Sequence, residues 1–395
     1  MSDSVPDAAA PPGLIQPLTA GILAAVVGFS SSFAIVLQGL RGVGATADQA
    51  ASGLFVLCLL QGALAVWLGL RLRQPVSLAW STPGAALLIG AGIPQGGFGV
   101  AVTAFLIAGA LVVLAGLWRP LARAVAAIPL PLAGAMLAGV LLDLCLAPVR
   151  AVEQVPALAL PVVAAWLAGW CLARRYAVLI AVVVALAVIA LAADLPPGAA
   201  APVLPVPVAV RPVPDLLPAL GIALPLFVVT MASQNVPGLA VLRSNGYVPR
   251  TGLVFVSTGL ASMGAAIFGG HGLNLAAITA ALCAGPEAGE DRARRYISSV
   301  TCGAAYLVIA LGAGVAAGVV AAAPPVLIEA VAGLALLGSL GGALVTALAA
   351  EEHRTAAVVT FVTTASGLSI FGIGAAFWGM LAGGLLMAAE RVSAS

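Results

Sequence analysis

The sequence predicts an all-α polytopic membrane protein of 14 spans, built as two inverted seven-span repeats. Three observations predict it. Hydrophobic residues are 62% of the chain and charged residues 8%, with a mean hydropathy of +1.17, a combination foreign to soluble domains of this length. The arginines are strongly biased towards alternate loops. Two polar stretches, about 190 residues apart, interrupt otherwise apolar runs.

The chain opens on a polar, acidic, Pro/Ala-rich segment, Met1 to Gly13, which lacks the basic flank of a secretory signal. Residues 1–16 therefore read as a cytoplasmic tail. Apolar runs then continue from Leu18 to Ala389, room for roughly 12 to 14 spans of about 20 residues. Span 1 covers Pro17 to Leu40 and carries Ser30, Ser31, Ser32, Phe33 and Gln38. Span 2 covers Ala47 to Leu70 and closes at Arg71 and Arg73. Span 3 is the first interrupted stretch, Pro75 to Gly92. Gly97 to Trp118 forms span 4 and Leu121 to Leu144 span 5. Pro156 to Leu172 and Tyr176 to Ala193 form spans 6 and 7, split by Arg174 and Arg175.

From Asp194 to Asp215 the chain is too Pro-rich for a helix. Residues 195–215 read as an extended periplasmic linker between a first repeat, 17–194, and a second, 216–390. Span 8 covers Leu216 to Leu242 and span 9 Thr251 to Ile267. Span 10 is the second interrupted stretch, Phe268 to Gly285. Tyr296 to Ala321, Pro325 to Ala349, Thr355 to Phe371 and Ile373 to Ala389 complete spans 11 to 14.

Arginine placement tests this count, because cytoplasmic loops collect positive charge. The chain has 16 Arg and no Lys; with 14 spans and both termini inside, 13 fall on the inner side and only Arg41, Arg150 and Arg211 outside. Dropping one span would invert every later loop. Merging a pair would not, so 12 spans is the alternative. Ser30 to Val56 can also be laid on Met231 to Val256 with a one-residue gap. Seven being odd, the second repeat enters the membrane upside down.

The interruptions are the candidate site, since irregular polar backbone survives at membrane depth only beside protein or a water-filled cavity. In span 3, Trp80-Ser81-Thr82-Pro83-Gly84 puts Ser or Thr at a helix N-cap with Pro just inside. In span 10, His271-Gly272-Leu273-Asn274 offers Asn274 as the cap. Two half-helix N-termini meeting near the midplane suit an anion. Span 8 adds Ser233, Gln234 and Asn235, which are costly against lipid and should face inward, next to Pro237. Ser31 and its neighbours serve either the site or close helix packing, and Phe33, with Phe29, Trp80 and Phe227, either a ring pocket or ordinary core. His271, Glu329 and Asp143 are the titratable groups placed to carry a proton, with an interfacial pairing to Arg150 open for Asp143.

No GxxxxGK[ST] motif occurs, which excludes an ATP-driven pump on this chain, and neither a nucleophile elbow nor HExxH is present. The five cysteines stand singly without metal-ligand spacing. No enzyme activity, cofactor, metal or nucleic-acid partner is expected.

The run VTMASQNVPGLAVLRSNGYVPR (Val229 to Arg250) closely resembles the benzoate:proton symporter family of bacteria. So do AGLALLGSL (Ala332 to Leu340) and TFVTTASGLSIFGIGAAFWGMLAG (Thr360 to Gly383). The resemblance implies uptake of benzoate or a related aromatic carboxylate with protons across the inner membrane. More distantly, the chain is similar to the uracil permease and nucleobase-ascorbate transporter fold. That fold implies short strands before the half-helices of spans 3 and 10. It also implies a core domain of spans 1–4 and 8–11 (17–118, 216–321), a gate domain of spans 5–7 and 12–14 (121–193, 325–389), and a homodimer through the gates. The nucleobase carriers place acidic residues on spans 8 and 10, where this chain has Ser233, Gln234, Leu273 and Asn274. Losing two fixed negative charges fits a carboxylate substrate. On that reading Ser81, Thr82, Gly84, Gly272 and Asn274 hold the carboxylate, Ser31, Ser233, Gln234 and Asn235 line the side, and the ring lies against Phe33. A channel-like facilitator for small anions and a nucleobase/proton symporter are the alternatives.

Overall fold

A computed structural model describes residues 14–118, 120–121, 123, 129–192, 205–322, 324–370 and 373–394. Met1 to Gly13 of the expected tail and residues 195–204 of the expected linker lie outside the described residues.

The protein is a multi-pass helical membrane protein. Span 1 is α1 (Ile15–Ser30) and α2 (Phe33–Gly42), broken at Ser31 and Ser32; span 2 is α3 (Ala47–Leu72). The first interruption becomes strand β1 (Leu78–Trp80) and half-helix α4 (Thr82–Ala91), followed by α5 (Phe98–Leu117). Then come α6 (Leu130–Gln154), α7 (Pro156–Leu172) and α8 (Ala177–Ala192). Span 8 is α9 (Leu216–Thr230), a π-helical turn (Met231–Asn235) and α10 (Val236–Ser244), and span 9 is α11 (Thr251–Ile267). The second interruption gives β2 (Leu273–Leu275) and α12 (Ile278–Ala284). Span 11 is α13 (Tyr296–Leu311) and α14 (Ala313–Ala322), bent at Gly312. The chain ends with α15 (Pro325–Leu348), α16 (Arg354–Ala365), a β3–β4 hairpin (Ser369–Ile370, Ile373–Gly374) and α17 (Ala375–Ala394). Among the described residues six helical stretches are long and apolar enough to cross a membrane, the first being Ile15–Gly42.

Two boundaries differ from expectation. Hydropathy placed span 5 at Leu121 to Leu144, but the helix runs Leu130–Gln154, because Pro129 and Pro131 set its first turn. Arg150, expected in an outer loop, therefore lies on that helix. Span 13 was expected to reach Phe371; α16 stops at Ala365, where Ser366 and Gly367 (φ 67°) turn the chain into the hairpin.

Packing follows a repeating scheme. α1 lies on α12 and α13, while α9 lies on α4 and α5; α3 packs on α13, and α5 on α11. Both of the last two contacts bring backbones together at facing glycines. A Cβ on Gly62 would meet the Gly303 carbonyl at 2.7 Å, and one on Gly303 the Gly62 carbonyl at 2.6 Å. In the α5–α11 contact a Cβ on Gly259 would lie 2.8 Å from the Gly109 carbonyl. Only hydrogen fits at these crossings. A second group forms around α6, which packs on α15, α16 and α7, with α8 on α7 and α17 on α16.

The described part of the linker, residues 205–214, forms neither helix nor strand, and it is tied down. Val210 N–H donates to the Ile267 carbonyl at 2.8 Å and Val213 N–H to the Gly99 carbonyl at 3.0 Å, while the Val208 N–H is held by Ser52 Oγ at 2.8 Å. It thereby joins the ends of α3, α5 and α11.

Candidate functional site

The two interrupted segments meet. β1 and β2 pair antiparallel, with Leu78 opposite Leu275, Ala79 opposite Asn274 and Trp80 opposite Leu273. Ala276 N–H extends the ladder to the Ser77 carbonyl at 2.9 Å. Strands suit this place because each backbone group finds a partner across the pair where lipid offers none.

The first half-helix caps itself. Ser81 Oγ accepts from Gly84 N–H at 3.1 Å, and Pro83 sits in the first turn with no N–H to satisfy. Thr230 Oγ1 donates to the same Ser81 oxygen at 2.7 Å, pinning α9 to α4. Gly84 belongs to this contact, since a Cβ there would come within 2.5 Å of Leu226 Cδ1.

The second half-helix is capped from outside. Asn274 was expected to do it, but the strand runs on to Leu275. The amide of Asn274 turns to the Leu275 carbonyl (Nδ2···O 2.7 Å), and its buried Oδ1 has no protein partner. The cap residue is Ala277, whose N–H donates to Gln234 Oε1 at 3.2 Å. The next residue of the π-helical turn, fully buried Asn235, accepts the Leu275 N–H at 3.0 Å. The extra residue of a π turn, next to Pro237, aims both side chains at one strand end. At the far end of α12, buried Arg295 donates to the Ala284 carbonyl at 2.8 Å, placing positive charge on the helix C-terminus.

His271 bridges the halves. It is buried at 2% exposure, and its Nε2–H donates to the Ser81 carbonyl at 2.9 Å. That tautomer leaves Nδ1 as an acceptor, and Nδ1 has no protein partner. Gly272 follows at φ 145°, a backbone open to glycine, and turns the chain into β2.

Three cavities surround this crossing. The smallest, about 40 Å³, is lined by Ser31, Ser32, Trp80, Thr82, Gln234, Ala276, Ala277, Thr279 and Tyr306, none of them charged. A larger one, about 490 Å³, lies between α4, α9, α10 and the helices α6 and α15; Pro83, Met136, Leu137, Val229, Ser233 and Gln234 are in its wall. A third, about 290 Å³, lies further along α4 and α6, with Leu87, Gly90, Asp143, Thr364 and Ser366 in its lining.

Of the expected site residues, Ser31, Thr82 and Gln234 share the small cavity, and Ser233 joins Gln234 in the large one. Ser81, Asn235, Asn274 and His271 are buried supports behind these walls. Phe33 is also buried, stacked on Phe29 at 5.0 Å, and is absent from the cavity linings. Asp143 pairs with Arg150 at 2.7 Å, both side chains being substantially exposed. Glu329 is half-buried on α15. Thr279 and Tyr306 escaped sequence reasoning. A hydroxyl in the first turn of a half-helix was the available signal for Thr279, and a lone phenol in an apolar span the signal for Tyr306.

The helical membrane fold with its paired crossing belongs to a chain that its family match identifies as a membrane transport protein. The chain belongs to the BenE family, the benzoate membrane transport proteins, whose model matches residues 14–389. It is 40% identical over 370 residues to the inner membrane protein YdcO of Escherichia coli (strain K12), covering 93% of this chain and 94% of that one. It is 29% identical over 364 residues to the benzoate membrane transport protein of Acinetobacter baylyi (strain ATCC 33305 / BD413 / ADP1), covering 92% of each. Among solved structures, the transmembrane domain of the cyanobacterial bicarbonate transporter BicA superposes with a TM-score of 0.62 at 16% identity, over 93% of this chain and 96% of that one. SLC26A9 gives 0.64 at 13%, over 95% of this chain and 65% of that one. These two show the fold alone.

Proposed function

We propose that the protein is a secondary active transporter of the bacterial inner membrane that imports benzoate or a related aromatic carboxylate by proton symport. The observation that carries this reading is the small polar cavity standing beside a large apolar one at the crossing of the half-segments. About 490 Å³ lies within the range of small-molecule sites, whereas about 40 Å³ accommodates only a few polar atoms. The carboxylate takes the small cavity, against Thr82, Thr279 and Ser31 and the positive end of α4. The ring takes the apolar wall of Met136, Leu137 and Val229. An aromatic acid matches that split between polar and apolar walls; a nucleobase, polar around its rim, does not.

The repeating packing scheme supports two inverted repeats, and the bias of arginine to alternate loops supports 14 spans with both termini cytoplasmic. The packing scheme also supports a core of spans 1–4 and 8–11 moving against a gate of spans 5–7 and 12–14; a homodimer through the gates rests on the fold resemblance alone. Since the cavities separate α4 and α9–α10 from α6 and α15, that movement would open the site to either side in turn. His271 is the preferred proton carrier, because its free Nδ1 is buried beside the first half-helix; Asp143 and Glu329, on the gate helices, are the alternatives.

Proteoliposomes with an imposed inward proton gradient are expected to concentrate labelled benzoate, and a protonophore to abolish the concentration. Equilibration without accumulation would point instead to a facilitator, and no uptake of benzoate or related acids would overturn the substrate.

A further inference from the structure

Two residues, Gln234 and Ala277, line both the small polar cavity and the large apolar one. They are hydrogen-bonded to each other, Ala277 N–H to Gln234 Oε1 at 3.2 Å. This side-chain-to-backbone bond therefore lies on the boundary between the cavities, beside the Thr82–Pro83 turn whose two residues face one cavity each. Ala277 contributes its backbone N–H and a methyl group, both fixed by the chain; the movable part is the Gln234 amide.

From this we infer that Gln234 is the partition that decides how large an aromatic acid reaches the polar cavity. Its side chain has the means to move. It extends from a π-helical turn, where one backbone residue is surplus to the α-helical register, and it is held by a neutral hydrogen bond at the long end of the normal range. Its neighbour Asn235 stays fixed on the Leu275 N–H, so rotation of Gln234 opens the boundary without releasing β2. A ligand whose polar end lies in one cavity and whose ring lies in the other must displace this amide. The position of the amide then sets the depth and width available to the ring. This last step rests on the aromatic-acid reading; the partition itself does not.

The test separates the two. A Thr82→Cys reporter in the small cavity, made in a Cys171→Ser background because Cys171 is the exposed thiol among the described cysteines, is labelled with a ring-sized benzyl methanethiosulfonate. Adding Gln234→Ala is expected to speed labelling at least tenfold, and Gln234→Asn, one methylene shorter, to give an intermediate rate. In parallel, affinities for benzoate and 2-naphthoate are measured on purified full-length protein, with thermal melts confirming the fold. Gln234→Ala is expected to shift the preference towards naphthoate at least tenfold. A folded Gln234→Ala whose labelling rate stays within twofold of its parent overturns the partition. Faster labelling with an unchanged acid preference overturns its role in size selection. If the parent binds neither acid, the aromatic-acid reading falls, and the labelling rates alone decide the partition.

Discussion

The two half-segments occupy equivalent places in the crossing yet are held differently. β1–α4 is self-sufficient: Ser81 caps its own helix, Pro83 removes a donor, and α4 runs for ten residues. β2–α12 is dependent: its helix has seven residues, its cap residue is an alanine, and its backbone N–H groups are held by Gln234 and Asn235 from span 8. One half-segment is thus a fixed wall, while the geometry of the other follows the π-helical turn. On the proposed transport reading, such asymmetry would give one part that binds in a constant way and one that responds.

The comparison breaks most completely at the group joining the halves. His271→Ala removes the donor to the Ser81 carbonyl and the buried Nδ1 together, and proton-driven benzoate accumulation is expected to fall at least tenfold. Accumulation that persists at the wild-type level would exclude His271 as the proton carrier. Next comes the dependent half. Asn235→Leu leaves the Leu275 N–H unpaired in a fully buried position, a loss of about 1–3 kcal/mol, visible as a lower melting temperature in detergent together with loss of uptake. The self-sufficient half should tolerate more. Ser81→Ala costs the cap and the Thr230 contact, about 1 kcal/mol, and a smaller drop in melting temperature than Asn235→Leu is expected; equal drops would refute the asymmetry. Gly28→Ala tests the opposite wall of the small cavity, because a Cβ there would come 2.6 Å from the buried Tyr306 hydroxyl; benzoate affinity should weaken several-fold and the melting temperature should also fall, with an overpacking cost of about 1 kcal/mol. Ser31→Ala is the mildest. Its hydroxyl bonds only the Gly28 carbonyl, at 3.3 Å, within the protein, so any change should appear in apparent KM for uptake, about twofold, and not in stability.

The sequence made the first half-segment readable because its signals are local. Ser81, Pro83 and Gly84 are adjacent, and the cap they announce is the cap that forms. The second half-segment misled because its cap is not local. Asn274 has the chemistry of a cap, but strand pairing with residues almost 200 positions earlier keeps the backbone extended through Ala276, and the capping oxygen comes from Gln234. The same reasoning explains span 5. Hydropathy is continuous from Leu121, so only the Pro129–Pro131 pair marks the start of α6. Polar residues in span 8 were correctly read as facing inward, but their division of labour was not legible. Ser233 bonds its own helix at the Val229 carbonyl, Gln234 stands between cavities, and Asn235 is structural. For Phe33, left open between a ring pocket and ordinary core, burial and stacking on Phe29 favour the core alternative.

The facing glycines of the α3–α13 and α5–α11 crossings carry a mechanical consequence. Where a carbonyl of one helix lies within 3 Å of the position a Cβ would take on the other, a half-turn slide would drive a side chain into backbone. These two seams therefore act as welds, and the proline-rich strap that fastens α3, α5 and α11 adds a third. In the proposed core-against-gate movement, displacement would therefore concentrate at the cavity-lined boundary against α6 and α15.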